Sequence, residues 1–232
     1  MRRPLTHPLL HLSIALLGAA FASPQSQAQE CPQAPEAQIS VQAALPSSTI
    51  AAHNDLSALK QIAALYNNRH QPLGLYVTRV QPELSVRVVT RTLPRGICMW
   101  LQSIDVTISL TERTIHVARE YLRGSCEYQA ILQHELKHAQ ADDAILKIHV
   151  PRIEQALRNA AAERGAIGPF APQGEADAQI QLRAGVEKAF RESLTQMMRD
   201  RVARQGSVDT PQEYRAVAAS CPSGLRLDRL SQ

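Results

Sequence analysis

The sequence predicts an α+β fold: a small, mostly antiparallel sheet, then a helix bearing paired histidines, then a helical C-terminal half. Three observations predict it. Ile104, Val106, Ile108 and Leu110 alternate with Asp105, Thr107 and Ser109, the period-two pattern of a strand with one buried face. After Gly124-Ser125 the apolar spacing changes to the helical period, and residues 125–150 contain neither glycine nor proline. Helical spacing and caps then recur to the chain's end.

Taken in order, residues 1–28 have the layout of a secretory signal peptide, with Arg2 and Arg3 before an apolar run over 9–21 and then small residues. The run is too short to anchor a protein in a bilayer. Cleavage after Ala22 and cleavage after Ala28 both fit. The expected product is periplasmic or secreted, with no membrane anchor. Glu30 before Cys31 argues against a lipid anchor, since a lipoprotein signal wants a small residue there.

Residues 29–52, rich in Pro, Ala, Gln and Ser, predict an extended arm or linker pinned by Cys31. A single α+β domain follows over 53–221, with a tail at 222–232. Asn54 or Asp55 is placed to cap a first helix. Four strand-like segments, 74–80, 84–92, 98–110 and 114–120, are separated by Pro82, by Pro94-Arg95-Gly96 and by Thr111-Glu112-Arg113. Ser125 caps the central helix, Pro151 ends or kinks it, and helical spacing resumes to Gly165. The segment 165–174 is a loop and 175–204 a further helix. Thr210-Pro211-Gln212-Glu213 has the form of a capping box, opening a short terminal helix.

Four cysteines, Cys31, Cys98, Cys126 and Cys221, read as two disulfides in an exported chain. Three connectivities are possible. The preferred one joins Cys98 to Cys126, which flank the central strands and motif helix, and Cys31 to Cys221 at the two ends. The net charge of +4 falls to +2 without the leader, and aromatic residues make up only 4% of the chain. A mild, scattered charge and few stacking surfaces give no nucleic-acid footprint.

The chemistry concentrates in His134-Glu135-Leu136-Lys137-His138. Histidines four apart on a helix project from one face, about 6 Å apart along the axis. Two such imidazoles can share one tetrahedral Zn2+. Glu135, one residue offset, flanks the metal and can act as general base toward water.

A sheet followed by a helix carrying HELKH resembles the zincin metallopeptidases. More narrowly, the leader, Gly96-Ile97-Cys98, ILQHELKH and helical tail are similar to the predicted secreted zinc-dependent proteases of bacteria. The chain departs from the longer zincin pattern at Lys137 and Gln140. The resemblance implies a minimal zincin-like fold, a peptide or protein substrate and a substrate-pairing edge strand over 114–120.

The third ligand is less defined. Asp142 lies about 9 Å of axial rise beyond the level of the metal, too far for direct ligation on a straight helix. Asp142 or Asp143 can instead accept the outer N–H of a ligand histidine. If the helices around 165–174 form an antiparallel hairpin, residue 136 faces about residue 202, which favours Asp200 or Asp209. Asp209 is preferred, because the capping box explains Thr210 and Glu213 and leaves the aspartate over. A kink at Pro151 would restore Glu175, Asp177, Glu187 or Glu192. Tyr214 and His149 are candidates to stabilise an oxyanion. Set against the hydrolase is a non-catalytic, disulfide-stabilised periplasmic binding or envelope protein.

Overall fold

A computed structural model describes residues 30–66 and 71–222. The expected leader and all but the first residue of the expected tail lie outside them. The elements run β1 (Gln38–Ala44), β2 (Thr49–Ala51), α1 (Leu56–Leu65), β3 (Gly74–Leu93), β4 (Gly96–Val117), α2 (Cys126–Arg164), β5 (Ile167–Phe170), a short 3-10 turn (Pro172–Gly174), α3 (Glu175–Gly206) and α4 (Pro211–Ala219).

The α+β class stands, but the sheet is not the mostly antiparallel one expected. It is mixed, with β4 at its centre. β1 and β2 lie parallel to β4, pairing Val41 with Val106 and Ile50 with Ile115, whereas β3 and β5 run antiparallel to it. Parallel neighbours need a crossover, and the chain makes it by passing through α1 and β3 before it enters β4. The segment expected as an arm therefore supplies two strands.

Four short strands were expected where two long ones occur. Pro82 sits inside β3, opposite Ile108. A proline is tolerated there because, among the described residues, β3 pairs with β4 alone, and a missing N–H on its other edge breaks no ladder bond. Thr111-Glu112-Arg113 is no turn but an irregularity within β4: the register slips between Val77 and Arg79, and Glu112 takes φ +56°.

Ile104, Val106, Ile108 and Leu110 all point into the main core. There they meet Ile145, Leu146, Ile153 and Leu157 of α2 and Leu182, Val186, Phe190 and Met197 of α3. α2 runs unbroken through Pro151 to Gly165, whose positive φ ends it. A smaller core, Ile115 and Val117 of β4 against Tyr128, Ile131 and Leu132, seats the first turns of α2.

The disulfides join Cys31 to Cys98 and Cys126 to Cys221, not the expected pairs. Once 38–51 enters the sheet, Cys31 is carried to the start of β4. Cys221 instead closes α4 onto the N-terminal end of α2. No helix among the described residues is long and apolar enough to cross a membrane.

Candidate metal centre

Ser125 caps α2 by accepting the Tyr128 N–H, with Glu127 in the positive first turn. Burying Tyr128, Ile131 and Leu132 then sets the helix rotation, so that the next positions on that side, His134 and Glu135, are also buried. His138 follows one turn on.

Opposite them stands the segment that links α3 to α4. Asp209 Oδ1 lies 3.3 Å from His134 Nε2 and 3.2 Å from His138 Nε2. Among the described residues these three form the one group able to hold a metal ion, with a ligand atom from each lying within 4.8 Å of the others. Two imidazole nitrogens and a carboxylate oxygen suit zinc, and three protein ligands leave a fourth position open. The Asp209 side chain is 43% exposed, so the centre opens to solvent.

Burial works against ionisation of Asp209. Hydrogen bonds from His134 and His138, the His138 charge and the Tyr214 hydroxyl outweigh it and hold the carboxyl well below the usual carboxylate range. For His138 burial also opposes the charge, but Asp209 and Glu135 raise its pKa overall. Burial pushes the Glu135 carboxyl up to about 7, against the charges of His138 and His134. The nearby backbone of Tyr76 also favours the ionised form. Gly74 makes this approach of β3 possible: a Cβ there would lie 2.5 Å from Ile131 Cγ2 and 2.9 Å from Glu135 Oε1.

Around these groups the side chains form two unequal supports. His138 Nδ1 lies 2.6 Å from Gln205 Oε1, and the Gln205 amide nitrogen donates to the His138 carbonyl at 3.1 Å and to Asp142 Oδ1 at 2.6 Å. Asp142 is itself gripped by Arg201 through two bonds, at 2.8 and 3.0 Å. His134 Nδ1, by contrast, is buried with no hydrogen-bond partner. Its nearest acid, Glu213, is 3.6 Å away, beyond hydrogen-bond reach, and pairs with Lys137.

The expected acids separate accordingly. Asp142 accepts no bond from a ligand histidine and reaches His138 only through Gln205; Asp143 pairs with the buried Arg113 at 2.7 Å. Asp200 bonds His149 at 3.0 Å, which removes both from the centre. Glu187 and Glu192 pair within α3, and neither they nor Glu175 and Asp177 join the metal-capable group. The Tyr214 hydroxyl donates to Asp209 at 2.8 Å, and its ring lies against His134. Residues 114–116 do not form a free edge, since β2 and β3 flank them on both sides.

The observed pairs His138 with Gln205 and Asp142 with Arg201 shift the α2–α3 register by about five residues from that expected, bringing residue 209 over the histidines. Gln205, Arg201 and Gly74 were not singled out by the sequence. The signal for the first two was their spacing of four on one face of α3.

Beside His134, α2 and α4 enclose an open cleft of about 390 Å³, lined by Gln133, Lys137, Glu213, Val217 and Ser220. Against protein-family models, curated proteins and solved structures, the chain has no match.

Proposed function

We propose that this chain is an exported zinc-dependent hydrolase acting on peptide bonds. The observation that carries the proposal is the convergence of His134, His138 and Asp209 beside a buried glutamate. His134 and His138 hold zinc through Nε2, and Asp209 through a carboxylate oxygen. When bound, zinc polarises a carbonyl and makes water more acidic. Glu135 takes the proton from the attacking water and returns it to the leaving amine, the double role of a general base that becomes a general acid. Tyr214, whose one hydroxyl hydrogen goes to Asp209, would turn it to the oxygen on which negative charge develops once Asp209 is engaged by the metal. Two disulfides and the N-terminal sequence support an oxidising compartment outside the cytosol.

A second reading draws on a specific observation: Asp209 already sits within reach of both histidines and of Tyr214. In that reading the cluster is a polar latch fastening the C-terminal segment of a binding protein.

The two separate in one assay. Zinc-loaded wild type and Glu135→Gln are incubated with denatured casein, and zinc content is measured alongside. The hydrolase predicts cleavage by wild type and a loss of roughly 10²–10⁴-fold in the variant at unchanged zinc content. Equal cleavage by both would overturn the role of Glu135. Absence of cleavage and of bound zinc would leave the latch.

A further inference from the structure

The hydrogen-bond directions around Gln205 can be assigned without ambiguity. A backbone carbonyl and an ionised carboxylate only accept, so the two contacts at 3.1 and 2.6 Å, to His138 O and Asp142 Oδ1, must be made by the Gln205 NH₂ group. Its Oε1 is then the atom facing His138 Nδ1 at 2.6 Å, and an amide oxygen only accepts. Nδ1 must therefore carry a hydrogen. Nε2 likewise faces only an acceptor, the Asp209 carboxylate at 3.2 Å, so both ring nitrogens carry hydrogen here; with Nδ1–H held by Gln205, Nε2 is the nitrogen whose proton a metal ion at that position would displace.

The amide cannot easily turn over. A flip would aim the carbonyl oxygen at the Asp142 carboxylate and at the His138 carbonyl, replacing two attractions with repulsions whatever Nδ1 carries. Asp142 in turn is fixed: it is 1% exposed and both of its oxygens are held by Arg201. The order Arg201, Asp142, Gln205, His138 thus runs from a guanidinium on α3 to a candidate ligand on α2.

We infer that Gln205 is the positioning residue for His138: it selects the tautomer that offers Nε2 and fixes the ring plane, with Asp142 and Arg201 holding the amide in its working orientation. The inference rests on the metal-centre reading above. No equivalent partner serves His134, whose Nδ1 makes no hydrogen bond and has only the Glu213 carboxylate at 3.6 Å. The two histidines are thus unequally supported, and the tautomer of His138 alone depends on α3.

The test pairs a spectroscopic readout with an affinity. Long-range ¹H–¹⁵N correlation of histidine rings in the zinc-loaded protein reports which nitrogen binds metal and which bears hydrogen. Wild type should show His138 bound through Nε2, with a slowly exchanging Nδ1–H. Gln205→Met, which keeps the volume and removes both polar functions, should lose that slow exchange and weaken zinc by roughly 10–100-fold in competition with a chelator. The His134 signals should be unmoved.

Zinc bound through Nδ1 of His138 in wild type would overturn the inference and leave the metal centre intact, and needs no variant to fold. So would a folded Gln205→Met with wild-type affinity and an unchanged Nδ1–H signal. A wild type that takes up no zinc would overturn the centre and this role with it.

Discussion

The molecule holds its candidate ligands in two regions of opposite character. The frame, β4 with α2 and α3, carries His134 and His138 on a helix whose further turns bury Ile145, Leu146, Ile153 and Leu157. The clasp, residues 209–221, brings Asp209 from the link before α4 and Glu213 and Tyr214 from α4 itself, a short helix in which no residue is buried. Side-chain burial holds the frame; a disulfide from Cys221 to Cys126, the Thr210 cap and contacts with the histidines hold the clasp. A metal site divided in this way has two ligands preset by folding and a third whose position depends on a tether.

The largest effect expected is on the frame. Ile153→Ala should lower global stability by about 2–5 kcal/mol in denaturant titration, since the residue is fully buried against α3 and the sheet. Zinc affinity under folding conditions should stay close to wild type; a matching loss of affinity would mean that frame and clasp are one unit.

The two disulfides sharpen the contrast next. Replacing Cys31 and Cys98 by serine should lower stability by about 2–4 kcal/mol and leave zinc affinity alone. The same change at Cys126 and Cys221 should weaken zinc by tenfold or more and expose the segment after α3 to proteolysis, as roughly that much of the restraint on Asp209 is lost. Equal zinc affinities in the two double variants, measured by chelator competition, would contradict the tethered clasp.

Gly74→Ala tests the contact between β3 and the general base. The added methyl meets Ile131 and Glu135, so about 1–3 kcal/mol of overpacking is expected in thermal unfolding, with hydrolysis falling while zinc is retained. The smallest effect on zinc binding should come from Tyr214→Phe, which deletes one hydrogen bond to Asp209 and should change zinc affinity by about 0.5–1.5 kcal/mol.

What the sequence made legible follows the range of the interactions. HELKH on a capped helix and the alternation over 104–110 are local patterns, and both keep their places in the fold. Asp209 emerged from an assumed helical hairpin that favoured Asp200 or Asp209, with the aspartate left over by the Thr210 cap deciding between them, and the structure sets Asp209 against both histidines. The parallel pairings were hidden because QISVQAA and TIA are short, and their partners lie about 65 residues away in β4. Pro82 and Glu112 look like strand ends in sequence; only the edge of β3 away from β4 and the slipped register make them interior. Gln205 is an ordinary residue for a helix end. Its role arises from the α2–α3 register, which depends on how β5 and the turn after it consume the connecting chain. The cysteine pairing depends in the same way on long-range placement, above all on β1 entering the sheet.

Whether His134, His138 and Asp209 together hold one zinc ion is decided by elemental analysis of the purified protein, with wild type beside His134→Ala and Asp209→Ala. The account predicts about one zinc per wild-type chain, as a three-ligand site with one open position requires, and none retained through gel filtration by His134→Ala. Asp209→Ala should keep less than wild type. Zinc content that is zero in all three after exposure to the metal, or equal in all three, would contradict it.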